Sequence, residues 1–300
     1  MHHKNFIKGL SDEQRQGFTR KNNHNGVIRL TVWLGIVTIL ILSIYQAGPS
    51  SLFLMLPLGI MLVFLFTLMH ETTHKTAFAN AQLNRVIAAC CGVLIVLPPR
   101  WFKAFHCEHH RHTQDGLKDP ERLYAKPVTL AQYLKAMSGL PVSISLFSKL
   151  VSHASGRCKD DFVVVADKKT IRIEAQLMLL FYSALLLVSI AIGSMLLLIV
   201  WVIPLLLGQP FLRAFLLAEH NGCANSDNMF DNTRTTITNP VIRFISWNMS
   251  YHTEHHVLPS VPFHQLTRFH SLTAPHLKVV QNGYWRYHLS VINSFKQKKP

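Results

Sequence analysis

Two long stretches of the sequence contain no charged residue, one at residues 30–69 and the other at residues 175–212. Each is about twice the 20 residues that a helix needs to cross the hydrocarbon core of a bilayer. A turn-forming segment interrupts each stretch near its middle, at residues 46–51 and 191–194. The sequence therefore predicts four membrane-spanning helices arranged as two hairpins, at about residues 29–47, 51–69, 175–191 and 194–212.

A shorter apolar run occupies residues 86–97 and ends at Pro98 and Pro99. As a helix it is too short to cross a bilayer. Backbone that enters the membrane without crossing it is tolerated where protein buries it. We therefore expect a re-entrant or interfacial helix at residues 86–97.

The basic residues indicate how the spans are oriented. No Lys or Arg lies between Arg29 and Lys75 or between Arg172 and Arg213, so all 30 basic residues fall in the N-terminal, middle and C-terminal polar segments. With two hairpins these segments share one side of the membrane, and the positive-inside rule makes that side cytoplasmic. We expect both termini to be cytoplasmic.

Composition agrees with a membrane protein, since only 15% of the residues are charged, against about a quarter in soluble proteins. The net charge of +15 does not indicate nucleic-acid binding, because the charges lie between apolar runs rather than on one aromatic-rich stripe. We expect a solvated cytoplasmic arm at residues 1–28, a membrane domain at residues 29–290 and a basic tail at residues 291–300.

Histidine is unusually abundant, with 18 residues, and much of it lies in three short clusters. The clusters are His70 and His74; His106, His109 and His110; and His252, His255 and His256. On a helix, positions i and i+4 lie about 40° apart and position i+3 lies about 60° to the other side. Each cluster therefore presents its imidazoles on one helix face. A ninth candidate, His220, follows the fourth predicted span.

Neutral imidazole is a strong ligand for iron, zinc, copper and nickel. Nine ring nitrogens are too many for one ion, but they suffice for two ions with open coordination positions. The glutamates within the clusters, Glu71, Glu108 and Glu254, point away from the imidazole faces. We expect them to orient ring N–H groups rather than to bind metal.

With these clusters, the sequence resembles the membrane fatty acid desaturase and hydroxylase superfamily over about residues 30–270. The resemblance is strongest at residues 107–122 and 232–262, and the second of these segments is similar to bacterial lipid desaturases. It implies an all-α integral-membrane fold, with four transmembrane helices in two hairpins and a cytoplasmic helical cap that carries the histidines. A multi-pass protein of the bacterial inner membrane, with its active site in the cytoplasm, is the expected setting.

The resemblance also implies a di-iron centre that activates O₂ and abstracts hydrogen from an unactivated methylene of a lipid or acyl chain. Electrons would come from a separate ferredoxin- or cytochrome-type donor. No catalytic residue beyond the metal ligands and no other cofactor-binding residue is implied. The implied ligands are His70, His74, His106, His109, His110, His220, His252, His255 and His256.

The sequence departs from the family pattern near His220. Acyl-CoA desaturases carry an Asn one turn before the corresponding histidine, where this chain has Leu216, and Asn221 follows the histidine instead. The departure puts the ninth ligand in question. The third cluster begins with His252 rather than Gln, so the front-end subclass is disfavoured.

Other functions remain open at this stage. A hydroxylase or carotenoid ketolase would use the same di-iron scaffold, because both reactions begin with hydrogen abstraction. An intramembrane zinc protease could use His70, Glu71 and His74 as an HExxH motif, although seven clustered histidines would then have no role. A metal transporter would place its histidines along the spans, whereas these lie at the span ends.

Overall fold

The computed structural model describes residues 1–123 and 126–297, and this part of the chain is predominantly helical. The last three residues of the predicted basic tail lie outside the described residues. The helices of the N-terminal half are α1 (His3–Gly9), α2 (Asp12–Thr19), α3 (His24–Ala47), α4 (Met55–Val63), α5 (Leu65–Thr73), α6 (Ala81–Ile95), α7 (Pro99–His112), α8 (Leu130–Met137) and α9 (Leu140–Ala154). Those that follow are α10 (Val165–Ala191), α11 (Ile203–His220), α12 (Met229–Asn232), α13 (Pro240–Ile245), α14 (His252–Val257), α15 (Leu266–Thr273) and α16 (Tyr284–Gln297).

A two-stranded parallel sheet joins β1 (Thr235–Ile237) to β2 (Val280–Asn282), with Thr235 opposite Val280. The predicted helical fold class is confirmed in that the described residues are predominantly helical, with this short sheet as an addition that was not predicted. The paired segments contain β-branched residues, which favour extended backbone. The pairing fixes the chain before the third histidine cluster to the chain that follows α15.

Within the described residues, four helical stretches are long and apolar enough to cross a membrane, or six if two bent helix pairs are each counted as one span. The four are Asp12–Ala47, Ser50–Thr73, Val165–Ala191 and Leu198–His220. They cover most of the predicted spans, but the second continues past His70 to Thr73 and the fourth continues to His220. The most apolar part of the second stretch is 61% buried, against 11% in the first and third. The second stretch is thus central, and the first and third expose apolar side chains to their surroundings.

The predicted re-entrant segment corresponds to α6, which is bent by 100° relative to α7. Val96 has a left-handed backbone conformation with φ of 57°, and the Leu97 amide donates to the Gly92 carbonyl at 2.8 Å. Pro99 then begins α7 in the position where a missing N–H costs nothing. This turn gives α7 its own direction and so positions the second histidine cluster. A re-entrant course stays a prediction.

The closest helix contact is between α4 and α11, and two glycines make it. A Cβ added to Gly59 would lie 2.0 Å from the Pro204 carbonyl oxygen, and one added to Gly208 would lie 2.2 Å from the Gly59 carbonyl oxygen. Small residues let helix backbones approach in this way within membranes. The contact fixes α11, which ends at His220, against the stretch that ends in His70 and His74.

The N-terminal segment does not form the solvated arm that its basic composition suggested. Phe6, Leu10 and Phe18 are buried. Phe6 packs against Phe230 and Phe269, with ring centroids 5.6 and 6.1 Å apart. The apolar side chains of α1 and α2 thus hold these helices against the region around the third histidine cluster, although the segment is rich in basic residues.

Replacing Gly59 or Gly208 with Val tests the helix contact. We expect each variant to lose at least about 1–3 kcal/mol of stability, because the added carbons overlap backbone atoms that cannot move aside. Thermal unfolding of detergent-solubilised protein measures the loss. Gly35→Val is the matched control, since a Cβ at Gly35 meets no atom within 4 Å. Equal melting temperatures for all three variants would contradict the assigned contact.

Candidate metal centre

The nine histidines predicted from the sequence lie together as two adjoining groups. Within each group, one ring nitrogen per residue lies within 4.8 Å of those of all the other members. The five-histidine group consists of His70, His74, His106, His110 and His255. The four-histidine group consists of His109, His220, His252 and His256. His220, the ninth candidate, is thus in the cluster despite the departure at Leu216.

Helical spacing decides which histidine joins which group. His106 and His110 are separated by four residues and share the five-histidine group, whereas the intervening His109 turns to the four-histidine group. On α14, His252 and His256 share the four-histidine group, and His255 joins the other. Side chains four residues apart point in nearly the same direction on a helix, and the i+3 side chain points to the other side. Each HxxHH cluster therefore contributes to both groups.

Several ring nitrogens lie within hydrogen-bond distance of more than one neighbouring ring. The Nε2 atom of His106 lies 2.8 Å from that of His74 and 2.9 Å from that of His110. In the other group, the Nε2 atom of His252 is 3.0 Å from that of His220 and 3.1 Å from that of His256. Each neutral ring has one N–H, so it cannot donate to every neighbour.

A shared metal ion fits these distances. Two nitrogens that bind one ion at about 2.1 Å and at right angles lie about 3.0 Å apart. His70 supports the same interpretation, since both of its ring nitrogens are buried without a hydrogen-bond partner in the described part of the chain. A buried polar atom without a partner is costly unless a ligand satisfies it. Both groups therefore have the donor set and spacing that a metal ion requires.

The two groups are adjacent rather than separate. The rings of His110 and His256, one from each group, stack with centroids 4.1 Å apart and planes 17° apart. His70 and His252 are 6.3 Å apart by the same measure. A cavity of about 20 Å³ opens between the groups, enough for about one water-sized molecule. Its apolar lining comes from Phe66, Phe102, Phe105, Leu216 and Met249.

Most of these histidines are neutral at physiological pH. Burial lowers the pKa of His74 to about 3, with the nearby cations Lys21 and His109 acting in the same direction. Burial also places the pKa of His106, His255 and His256 well below the ordinary value. A neutral ring has the lone pair that metal binding needs.

His109 differs from its neighbours. Burial lowers its pKa, but the charge of Glu121 and the hydrogen bond to Asp119 outweigh burial and raise the pKa above the ordinary value. Asp119 lies 2.9 Å from His109 Nδ1 and also accepts hydrogen bonds from the amides of Gln114 and Glu121. Negative charge beside His109 thus favours a cation at the four-histidine group.

The other rings of that group also face oxygen atoms through Nδ1. His220 donates to the Asn232 carbonyl at 3.2 Å, and His252 lies 3.4 Å from the buried Glu219 carboxylate, an ion-pair distance. Thr113 donates its hydroxyl to the His109 carbonyl, so it accepts from His256 Nδ1 at 3.2 Å. The hydrogen bonds of His109, His220 and His256 fix which nitrogen carries the proton and leave Nε2 free to bind an ion, whereas His252 Nδ1 makes no hydrogen bond.

The glutamates within the clusters do not orient the rings, and that prediction is wrong. Glu71 accepts from the Phe263 amide at 3.2 Å. Glu108 forms surface ion pairs with Arg111 and His112. Glu254 bonds outside both groups, to His270, Thr235 and Thr273. These three carboxylates point away from the groups, as expected, and bind neighbouring elements instead.

Sequence reasoning missed Glu219 and Thr113 as partners of the rings. Glu219 directly precedes His220 and Thr113 directly follows His112, so proximity in sequence was the available signal. Asn221 faces away and donates to the Tyr287 hydroxyl at 2.9 Å. Leu216 lines the cavity, so an apolar side chain occupies the position where the resemblance leads one to expect an Asn.

A third grouping, His153, Cys158 and Asp160, has the residue types of a metal site. However, Asp160 already accepts from Lys149 Nζ at 2.6 Å and from Trp101 Nε1 at 2.9 Å. The lysine thus supplies the positive charge that a metal ion would bring. This network ties α9 to α7, the helix that carries the second histidine cluster.

Comparison with known proteins gives one family. The family model described as "Fatty acid desaturase" matches residues 47–288, most of the chain, and all nine histidines lie in the matched range. No curated protein matches the sequence.

Metal removal tests the two groups directly. We expect about two metal ions per purified chain, because nine imidazoles in two adjoining groups exceed the coordination of one ion. Stripping the ions with a chelator should lower stability by about 3 kcal/mol or more, since a ligand that binds only the folded state stabilises it. Elemental analysis and thermal unfolding measure the two effects. Re-addition of the metal is the control and should restore the melting temperature; unchanged unfolding after stripping would contradict metal binding here.

Proposed function

The chain belongs to the fatty acid desaturase family, and we propose that it is an O₂-dependent desaturase of a lipid or fatty acyl chain. Membership makes it a membrane oxidoreductase of the desaturase and hydroxylase type. The observation that carries the specific proposal is the pairing of two histidine groups around one small apolar cavity. The overall reaction converts an acyl CH₂–CH₂ unit, O₂, two electrons and two protons into CH=CH and two water molecules.

The proposed ligands are the nine histidines of the two groups, and the proposed metals are two iron ions. Iron suits the reaction because it is redox-active and binds imidazole well, whereas zinc does not change oxidation state. Bound in a pair with open positions, iron supplies O₂ activation and abstraction of hydrogen from an unactivated methylene. The chain supplies the imidazoles, their orientation and the exclusion of water.

The apolar side chains of the cavity are proposed to hold the acyl methylenes. Phe66 and Phe102 contact each other edge-on at 5.2 Å, and Phe102 stacks on His106 at 5.4 Å. An acyl chain in this cavity would therefore lie beside both groups. The volume of about 20 Å³ is too small for an acyl chain, so the lining side chains must move when it enters. Met249 has the flexibility that such movement needs.

We propose that the chain crosses the membrane four times, in two hairpins, and that the histidine-bearing helices and both termini are cytoplasmic. The distribution of basic residues supports this orientation, since both predicted inter-span turns lack Lys and Arg. The similarity of residues 232–262 to bacterial lipid desaturases supports the bacterial inner membrane as its location. Acyl chains would then arrive from the bilayer and electrons from the cytoplasm.

A separate, acidic ferredoxin- or cytochrome-type protein is the proposed electron donor. An open groove of about 630 Å³ reaches His110 and His256, one ring from each group. Lys4 and Arg111, both with side chains 64% exposed, line the groove. Asp115 and Asp227 also line the groove, and Lys4 pairs with Asp227 and Arg111 with Glu108. An acidic surface docked there would take the place of these carboxylates as the partner of the two cations and would lie close to both groups.

The intramembrane protease hypothesis receives no support from the site. Its general base would be Glu71, whose carboxylate accepts from the Phe263 amide instead of facing either histidine group. Hydroxylation or ketolation uses the same proposed site and is separated from desaturation by the product.

Lipid profiling of a heterologous host that expresses the chain tests the reaction. We expect fatty acids two mass units lighter than the host's own. His109→Ala and His255→Ala should each reduce product by more than about 100-fold, because each removes a ligand from one group. His24→Ala, an exposed histidine outside both groups, is the control and should leave the profile unchanged. Products heavier by one oxygen would identify a hydroxylase, and full activity in either ligand variant would contradict the ligand assignment.

Charge reversal tests the docking groove. With an acidic ferredoxin as donor, Arg111→Glu should raise the donor KM roughly threefold to tenfold at low salt, because it replaces an attraction with a repulsion. The effect should shrink at high salt, where charges are screened. Lys296→Glu, outside the groove, is the charge-matched control. An equal rise in KM for both variants would show that net charge acts without a defined docking site.

A further inference from the structure

The two histidine groups differ in what lies behind their rings. In the four-histidine group the Nδ1 atoms of His109, His220 and His256 each have an oxygen partner, and for His109 it is the buried carboxylate of Asp119. The Nδ1 atom of His252 makes no hydrogen bond, but the buried Glu219 carboxyl lies 3.4 Å from it. In the five-histidine group, the Nδ1 atoms of His70, His110 and His255 are buried and have no hydrogen-bond partner among residues 1–123 and 126–297. The difference in Nδ1 partners separates the five-histidine group from the four-histidine group. It does not separate the three sequence clusters, because two of them contribute rings to both groups.

We propose that Asp119 and Glu219 are positioning residues that act on the four-histidine ion alone and make the two metal sites inequivalent. The inference rests on the proposed function in so far as the two groups bind two ions. It goes beyond that function by assigning different affinities and electronic environments to the ions, and by naming the residues responsible.

Hydrogen bonds hold the Asp119 carboxylate in position beside His109. Its Oδ1 atom contacts His109 Nδ1 at 2.9 Å, and its two oxygens accept the Gln114 and Glu121 amides at 2.8 and 2.9 Å. A carboxylate so satisfied cannot rotate away from the ring. It accepts the Nδ1 proton, which leaves the Nε2 lone pair directed at the group and makes the imidazole a stronger donor.

Glu219 acts on His252 from a different element. It lies on α11 directly before His220, it is 8% exposed, and it lines the cavity between the groups. Its Oε1 atom is 3.4 Å from His252 Nδ1 on α14. One residue thus ties together two helices that each provide a ligand to the same group.

The number of ligands, by contrast, favours tighter binding of the ion in the five-histidine group. The five-histidine group has one more imidazole, which on its own would make its ion the more tightly held. Asp119 supplies to the other group negative charge that the five-histidine group lacks, and Coulomb attraction is strong in a buried, low-dielectric setting. Glu219 places a carboxyl oxygen 3.4 Å from the His252 ring. The carboxylates therefore offset the missing fifth ligand, so removing them should affect one ion selectively.

The test uses Asp119→Asn and Glu219→Gln, which keep side-chain size and remove the charge. Full-length protein loaded with ⁵⁷Fe is equilibrated with a graded iron chelator, and retained iron is measured by elemental analysis and Mössbauer spectroscopy. We expect wild type to show two quadrupole doublets of equal area. Each variant should lose one of them at about 10–100-fold lower chelator concentration, the effect usual for a carboxylate behind a ligating histidine.

His220→Ala and His70→Ala assign the doublets, since each removes a ligand from a different group. Glu71→Gln is the matched control: Glu71 is buried beside His70 but bonds to a backbone amide, so both doublets should persist as in wild type. If Asp119→Asn and Glu219→Gln weaken both doublets equally, or behave like Glu71→Gln, the inference is overturned. A wild-type protein without paired iron would instead contradict the proposed function and leave no doublets to compare.

Discussion

The fold depends on bringing nine imidazoles, most of them buried and neutral, close enough that several pairs of ring nitrogens lie about 3 Å apart. Such an arrangement is unfavourable without an ion, because lone pairs face lone pairs and the rings lose their contact with water. One ion bound in each group would make the arrangement favourable, since every lone pair would then have a strong partner. Of the helices that carry the rings, α5 and α14 are short and α7 begins at a sharp turn, so their own hydrogen bonds would not hold them in place. Metal binding and the final packing of this region are therefore thermodynamically coupled.

The membrane helices give that region a rigid base. The backbone contact of Gly59 with Gly208 fixes α4 against α11. It therefore also fixes the relative positions of the histidines at the ends of the two stretches. The proline-led turn after α6 then directs α7 across the same end of the bundle. Ties to outer elements, such as Glu254 to His270, restrain the third cluster without contacting the rings. The site is thus built from the ends of membrane helices below and from short helices above, each anchored separately.

Much of this was predictable, because helical periodicity is a local property. Apolar length indicated the spans, and the i, i+3, i+4 spacing indicated which side chains share a face. The same spacing could not show that His109 and His255 belong to groups different from their neighbours, since that depends on how α7 and α14 cross. Glu219 and Asp119 lie near histidines in the sequence, but which ring each of them contacts depends on the folding of the chain. The prediction of a solvated arm at residues 1–28 failed for another reason. It rested on the basic residues, whereas Phe6, Leu10 and Phe18 are buried and hold the segment against the rest of the chain. The short sheet was missed because three-residue strands leave almost no pattern in a sequence.

The docking of α1 beside residue 228 has a consequence for the order in which the molecule is built. The His3 amide donates to Asn228 at 2.9 Å, across 225 positions of sequence, so α1 is synthesised well before its partner. Contacts this distant in sequence form late, because the intervening chain must be ordered first. Until then, Phe6 and Phe18 are apolar side chains on a basic segment beside the membrane, where the bilayer surface can shelter them. α1 thus reaches its final position only after the segment around Asn228 has been synthesised.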